Sequence, residues 1–280
     1  MSENFVAQLN AFFSYLRDKG KSENTVRNYT RTLMEFDRWL NENGGEFDRL
    51  TRLDVQQFIN HLRENGNVPT TVKNKFACLC TYAHYIKRSD IVEDIRVPDV
   101  RPVHNIAPKS LERNERNRLL REVERDGNLR DIAMTYMLLM TGLRVSELVA
   151  LDRDDVTMSE RSGSVLVRNG KGNVSRKVPM FAEVRLHLRR YLEQRKDSEP
   201  ALFLSNRGQR ISVRAVQHTL AKYGVHPHEL RHTFVRELVS KGIDISTVAE
   251  LAGHRDINVT RRYSMPTESE LERAIERAFS

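Results

Sequence analysis

Residues 226–234 read His226-Pro227-His228-Glu229-Leu230-Arg231-His232-Thr233-Phe234. His228 to His232 match H-E-x-x-H, in which two histidines one helical turn apart bind zinc and the glutamate activates water. Glu250 lies downstream as a conceivable third ligand. Arg231 opposes a metal. Three residues after His228, it shares the helix face that both histidines would use. A guanidinium ~5 Å from a dication costs roughly 7 kcal/mol at an effective dielectric of 20, unless a carboxylate offsets it. A phosphate in place of the dication reverses the sign. Pro227 suits a first helical position, which puts His228 at a helix N-terminus, where anions bind and a histidine is held neutral. The stretch therefore reads as a phosphate site, with no metal and no cofactor expected, and a zinc peptidase as the disfavoured alternative.

The rest of the chain is consistent with a polyanionic partner. Its 280 residues carry a net charge of +8, with 39% hydrophobic and 30% charged residues, enough apolar material for one large domain or two smaller ones. An anionic membrane surface is the alternative to nucleic acid. The opening MSENFVAQLN lacks a signal-peptide pattern, and the most apolar stretch, Met134 to Leu143, is too short to span a bilayer. Cys78 and Cys80 make a poor zinc pair and read as small buried groups. A soluble, reducing, cytoplasmic setting with no membrane partner is expected.

Apolar spacing predicts four helices in residues 1–90. Phe5, Leu9, Phe12, Phe13 and Leu16 line the first. Ser22 caps a second with Val26, Tyr29, Leu33, Phe36, Trp39 and Leu40 inward, ended by Gly44-Gly45. Asp54 opens a third, and Val72, Phe76, Leu79, Ala83 and Ile86 line a fourth. Arg27, Arg31, Lys73 and Lys75 decorate the polar faces of the second and fourth. Residues 91–108 lose the periodicity and contain Pro98, Pro102 and Pro108, so they read as a linker. From 109 to 280 the pattern is mixed. Ser110 caps a helix, a helix covers 130–140, and strands fall at SVLVR and RKVPM. A helix runs from Phe181 to about Gln194, a short strand is ALFLSN, and helices follow at 212–223, 228–241 and 245–252. The fold class is mainly α with a small antiparallel sheet: a four-helix module followed by an α+β domain.

Chemistry on a phosphodiester without metal needs cationic neutralisers, a nucleophile, a base and an acid. Arg144 in TGLRVSEL sits between apolar flanks that draw it inward, where it needs an anion; Glu147 is a candidate partner. Lys171 lies between two glycines and two strands, which alone would be a solvated hairpin turn. His254 follows a glycine, and Tyr263 comes nine residues later.

Each segment is common alone. Together, TGLRVSEL, GKGNVSRKVP, HELRH, AGHRD and the tyrosine nine residues beyond that histidine resemble the tyrosine recombinases, the lambda-integrase-like enzymes, with Xer-type and transposon or plasmid resolvase members most similar. The resemblance covers most of residues 110–270, and the helical module suits the family's core-binding domain. Two positions depart from the family's usual residues: Ala252, where leucine commonly precedes Gly-His, and Ser264-Met265, where Thr-His commonly follows the tyrosine.

The resemblance implies a site-specific DNA recombinase, with a type IB topoisomerase as the related alternative. It implies that Tyr263 attacks a scissile phosphate to give a 3′-phosphotyrosyl link, that Arg144 and Arg231 grip its non-bridging oxygens, and that His254 hydrogen-bonds it. Lys171 would protonate the leaving 5′-oxygen. A free phenol is only about 0.1% ionised at pH 7, and His228 is the expected acceptor of its proton. His226 and His232 are expected to be structural, with His232 facing the core beneath Arg231. Partners implied are double-stranded DNA, a homotetramer on two DNA sites with a dimer on each, and accessory DNA-bending or directionality proteins, at the nucleoid. Thr267 and Glu270 form a capping box before an apolar stripe, Leu271, Ala274, Ile275, Ala278 and Phe279. That final helix, 267–279, is expected to dock on a neighbouring subunit.

Overall fold

The computed structural model describes residues 3–99, 108–168, 175–254, 256–263, 275, 276 and 279. The chain forms two compact units, Met1–Pro102 and Val103–Ser280.

The first unit holds helices α1 (Glu3–Asp18), α2 (Glu23–Glu42), α3 (Arg52–Glu64) and α4 (Pro69–Tyr85). The Ser22 hydroxyl accepts from the Thr25 amide and starts α2 as its sequence predicts. Helix α3 begins earlier than expected. Thr51 is its N-cap and Asp54 its third helical residue, each side chain accepting from the other's backbone amide. The predicted apolar faces meet in one core, where the Phe36 ring lies 4.8 Å from Phe58 and 6.2 Å from Trp39. Cys78 is buried there as a free thiol and donates to the Tyr29 carbonyl. Arg27, Arg31 and Lys73 are exposed, whereas Lys75 is half-buried and paired with Glu35 at 2.6 Å. The start of the predicted linker belongs to this unit. Ile91 is buried, Ile95 and Val97 pack on the core, and the Arg96 amide donates to Gln56 Oε1.

In the second unit, α5 (Arg113–Asp126) precedes α6 (Leu129–Thr141), which is buried almost all round and packs against four other helices. Ser110 does not cap α5. Glu112 and Glu115 form its capping box, and the Ser110 hydroxyl instead accepts from Arg236. After α7 (Val145–Ala150) come β1 (Val156–Met158), β2 (Gly163–Val167) and β3 (Arg176–Pro179), antiparallel in the order β1-β2-β3. Val165, Val167 and Val178 point from this sheet into the core. Helices α8 (Ala182–Gln194), α9 (Val213–Ala221), α10 (Pro227–Ser240), α11 (Ile245–Ala252) and α12 (Ile257–Arg261) complete the order.

The stretch ALFLSN is not a strand. Ala201 and Leu204 make only isolated bridges, to Asp152 and Arg210. Arg195 Nη1 donates to the Ala201 and Leu202 carbonyls and the Leu204 amide donates to the Tyr191 hydroxyl, while the Leu202 amide and the Phe203 carbonyl bond to the backbone of Leu151 and Ile211, so side chains serve part of the backbone that a ladder would otherwise pair. The segment between β2 and β3, with Lys171, and most of the final predicted helix lie outside the described residues. Ile275 and Phe279 are exposed. No helix among the described residues is long and apolar enough to cross a membrane.

Candidate active site

Two glycines begin the site. Gly142 ends α6 with φ +63°, and a Cβ there would lie 2.2 Å from Cδ1 of Phe234. Gly253 ends α11 with φ +67°, and a Cβ there would lie 2.6 Å from Nη1 of Arg176. Left-handed backbone and close approach together leave room only for glycine. Each turn aims unpaired helix-end carbonyls into the same region.

Three arginines take those carbonyls. Leu251 O accepts from Arg176 Nε at 3.2 Å, Ala252 O from Arg231 Nη2 at 2.6 Å, and Gly253 O from Arg144 Nη2 at 2.8 Å. Three successive acceptors at the negative end of α11 thus each hold a guanidinium. Arg231, only 5% exposed, also donates Nη1 to the Gly142 carbonyl at 2.6 Å.

Glu147 is the carboxylate of the cluster. As the third residue of α7 it accepts from the Arg144 amide at 2.8 Å and from Arg144 Nη1 at 2.8 Å. Arg176 Nη1 and Nη2 reach its two oxygens at 3.0 and 2.8 Å, a bidentate pair. Burial alone would raise the pKa of Glu147, but the Arg176 bonds, the Arg144 amide and both charges outweigh it and hold it at about 2. Arg176 spends all three nitrogens on protein acceptors, whereas Arg144 keeps N–H groups beyond those on Glu147 and Gly253. Burial, then the charge of Arg144, lowers Arg231 to about 10, which leaves it fully cationic at neutral pH. Three guanidiniums against one carboxylate leave a net charge of +2 in a site closed by helix ends.

His254 follows directly on Gly253. Its Nδ1 meets the Thr260 hydroxyl at 2.8 Å, which ties it to α12. Burial, then Arg231 and Arg144, lowers its pKa to about 4, so it is neutral at pH 7. Tyr263 lies just past α12, its amide donating to Thr260 O at 3.0 Å. The half-buried ring packs beside Val235, Val248 and Ala252. Burial raises its pKa to about 12, while Arg231 and Arg262 act to lower it.

The HELRH residues separate by direction. Glu229 turns to the helix start, accepting from the His226 amide at 2.9 Å and pairing with Lys109 at 2.7 Å. Arg231 points inward. His232 does not face the core beneath Arg231: it is half-buried, and its Nδ1 is hydrogen-bonded to the Tyr263 hydroxyl. Its ring stacks 6.2 Å from that of His228, which lies 5.6 Å from His226. His228 is the more solvent-facing ring, and its partial burial, then His226 and Arg231, lowers its pKa. Among the described residues no group of three or more His, Cys, Asp or Glu comes together to hold a metal ion.

The structure thus brings Arg144, Arg231, His254 and Tyr263 together, with His228 one stacked ring beyond His232; Lys171 lies outside the described residues. Sequence reasoning missed Arg176 and the contact of His232. Arg176 stands in a strand pattern, and its partner Glu147 is 29 residues away. A third arginine needing an anion was the available signal.

This arrangement agrees with the likeness to known proteins. The phage integrase family pattern matches residues 109–270, and the phage integrase N-terminal SAM-like domain pattern matches residues 9–90. The chain is 33% identical over 279 residues to tyrosine recombinase XerA of Pyrococcus furiosus, covering 96% of this chain and 93% of that one. It is 31% identical over 280 residues to tyrosine recombinase XerC of Staphylococcus aureus, covering 93% and 92%. Among solved structures, XerH site-specific recombinase bound to difH substrate shares the fold with a TM-score of 0.71, at 21% identity over 96% of this chain and 83% of that one. The chain belongs to the phage integrase family and is a tyrosine-type site-specific recombinase.

Proposed function

We propose that the protein cuts and rejoins double-stranded DNA at specific sites, with Tyr263 as nucleophile, a 3′-phosphotyrosyl intermediate and a Holliday junction between the two strand exchanges. The observation that carries this is the charge of the cluster. Arg144, Arg176 and Arg231 converge on one carboxylate, Glu147, and the largely buried cationic excess calls for a further anion, which a phosphodiester supplies. Arg144 and Arg231 grip its non-bridging oxygens, since Arg176 is already occupied on both sides. His254, neutral and fixed by Thr260, adds a hydrogen bond to the same phosphate. His228 stands at the N-terminal end of α10, where the helix favours the anion. Lys171 protonates the departing 5′-oxygen. The tyrosyl ester conserves the bond energy of the cut strand, so rejoining needs no nucleotide.

The exposed basic residues Arg27, Arg31 and Lys73 suit the first module to the DNA backbone. Ile275 and Phe279, exposed in the stretch expected from its sequence to be a final helix, suit a neighbouring subunit, in keeping with a tetramer on two sites and a dimer on each. Accessory DNA-bending or directionality proteins fit the same scheme, at the nucleoid in the cytoplasm.

The experiment is covalent trapping on a suicide duplex nicked beside the scissile phosphate. The unsubstituted protein should accumulate a protein–DNA adduct, and Tyr263→Phe should form none. An adduct with Tyr263→Phe places the nucleophile elsewhere. Lys171→Ala should fail on ordinary DNA and recover on a 5′-phosphorothiolate, whose leaving group needs no proton; no recovery removes the acid role.

A further inference from the structure

The phenolic hydrogen of Tyr263 has a partner already in place. Its hydroxyl is bonded to Nδ1 of His232, a half-buried ring on α10. A neutral imidazole has one donor and one acceptor nitrogen. In the tautomer with the hydrogen on Nε2, Nδ1 accepts from the phenol, and this is the arrangement in which the ring can take the phenolic proton. Helix α10 cannot readily rotate that ring away, because Arg231, the preceding residue, is bound on both sides by the Gly142 and Ala252 carbonyls. The Tyr263 hydroxyl has no such contact from His228, whose ring stands on the far side of His232.

We propose that His232, and not His228, takes the proton of Tyr263 during attack on the scissile phosphate. The inference rests on Tyr263 being the nucleophile. In the forward step the Oη–P bond forms, the P–O5′ bond breaks, and the phenolic proton moves to Nδ1, giving an imidazolium with both nitrogens protonated. The leaving oxygen takes its proton from a separate acid. On rejoining, the 5′-hydroxyl attacks phosphorus and gives its proton back to the conjugate base of that acid, while the imidazolium returns its proton to the departing tyrosine oxygen, which restores the starting state.

The groups around His232 explain why acceptance waits for DNA. On its own helix it faces His228, Arg231 and Glu229; from the end of α12 come Arg262 and Tyr263, and from the turn after α11 comes His254. Burial, then the charges of His228, Arg231 and Arg262, lowers His232 to about 4, with only Glu229 acting to raise it. A phosphodiester seated on Arg144 and Arg231 adds a negative charge that offsets those cations. Basicity of the imidazole then rises at the moment the phosphate is in place, and the tyrosine is not ionised without a substrate.

The test measures adduct formation on the suicide duplex with the full-length chain from pH 5.5 to 9.5, alongside DNA affinity and thermal melting. His232→Asn keeps an acceptor near the place of Nδ1 but cannot take a proton. It should bind DNA and melt like the unsubstituted protein, yet cleave about 100-fold or more slowly at pH 7, the span of a lost general base. Its rate should climb about tenfold per pH unit into the alkaline range, where tyrosinate supplies itself, while the unsubstituted protein levels off. Replacing Tyr263 by 3-fluorotyrosine, a more acidic phenol, should accelerate His232→Asn far more than the unsubstituted protein, a response that misfolding cannot produce. His228→Asn, which touches the phosphate end of α10, should lose rate without the alkaline climb and without the added response to 3-fluorotyrosine. Cleavage by His232→Asn at near-normal rate with an unchanged pH profile overturns the proposal, as do the alkaline climb and the 3-fluorotyrosine response appearing in His228→Asn instead. Failure of the unsubstituted protein to form any adduct overturns the nucleophile assignment, and this inference with it.

Discussion

Glu147→Gln is the perturbation whose outcome the cluster determines most directly. Glu147 is 6% exposed and accepts from the Arg144 amide, Arg144 Nη1, and Arg176 Nη1 and Nη2. Glutamine keeps the shape but turns one acceptor oxygen into an NH2 that faces N–H donors. Half of the bonds become donor against donor, and three guanidiniums lose their one counter-charge. Removing one partner of a buried ion pair costs about 3–5 kcal/mol. In a unit of this size each kcal/mol lowers the melting temperature by about 2–4 °C, so the catalytic unit should melt about 6–20 °C lower. Sulfate provides the matching assay. It places a double negative charge where the phosphodiester belongs, so it should stabilise Glu147→Gln more than the unsubstituted protein in calorimetric melts, through mass action on the folded state. A loss below about 1 kcal/mol, or an equal sulfate effect on both proteins, would refute the view that Glu147 holds this cluster together.

Gly253→Ala should cost about 1–2 kcal/mol for its left-handed backbone and more for displacing Arg176, and should slow cleavage, whereas Gly208→Ala, with φ +71° and no atom within 4 Å of a new Cβ, should show the backbone part alone. Equal losses at the two positions in thermal melts would remove the role given to the Arg176 contact. The depressed histidines set a pH dependence. With folded-state values of about 4, His232 and His254 contribute stability that is fully present above the unfolded value of about 6.5 and is lost as pH falls toward 4. Denaturant unfolding at pH 7, 5 and 4 should show this fall, and His232→Asn with His254→Asn should flatten it; an unflattened profile would contradict the assignment. DNA affinity should drop with salt at a log–log slope of about −5 for six phosphate contacts, measured by fluorescence anisotropy, and a nearly flat line would rule out backbone-led binding.

The helical half was legible because its signals are local. Ser22 caps within its own turn, and Phe36, Trp39 and Leu40 repeat at helical spacing. Ser110 misled because Glu112 and Glu115 lie two and five residues on and form the capping pair between themselves. ALFLSN misled for a different reason. Ala201, Leu202, Phe203 and Leu204 are all buried, as in a central strand, yet Arg195 and Tyr191 serve part of their backbone in place of a ladder. In the site, Arg144 and Arg231 could be read from apolar flanks and helix spacing. His232 could not, because its partner is 31 residues away beyond two helices, and which of two histidines one turn apart meets a tyrosine depends on the rotation of α10. Arg176 escaped notice because strand alternation says nothing about a first residue whose partners are a distant carboxylate and a helix end.

The three carbonyls at the end of α11 have a bearing on how this enzyme can vary. A main-chain oxygen is present whatever residue is encoded, so the anchorage of the guanidiniums survives exchange of the side chains at 251 and 252. Ala252, where the family resemblance leads one to expect leucine, is an instance: a residue with only a methyl side chain holds Arg231 through its oxygen. Drift along this stretch is therefore free to remodel the apolar bed beneath Tyr263 without touching the anion grip, and the two properties can be selected separately.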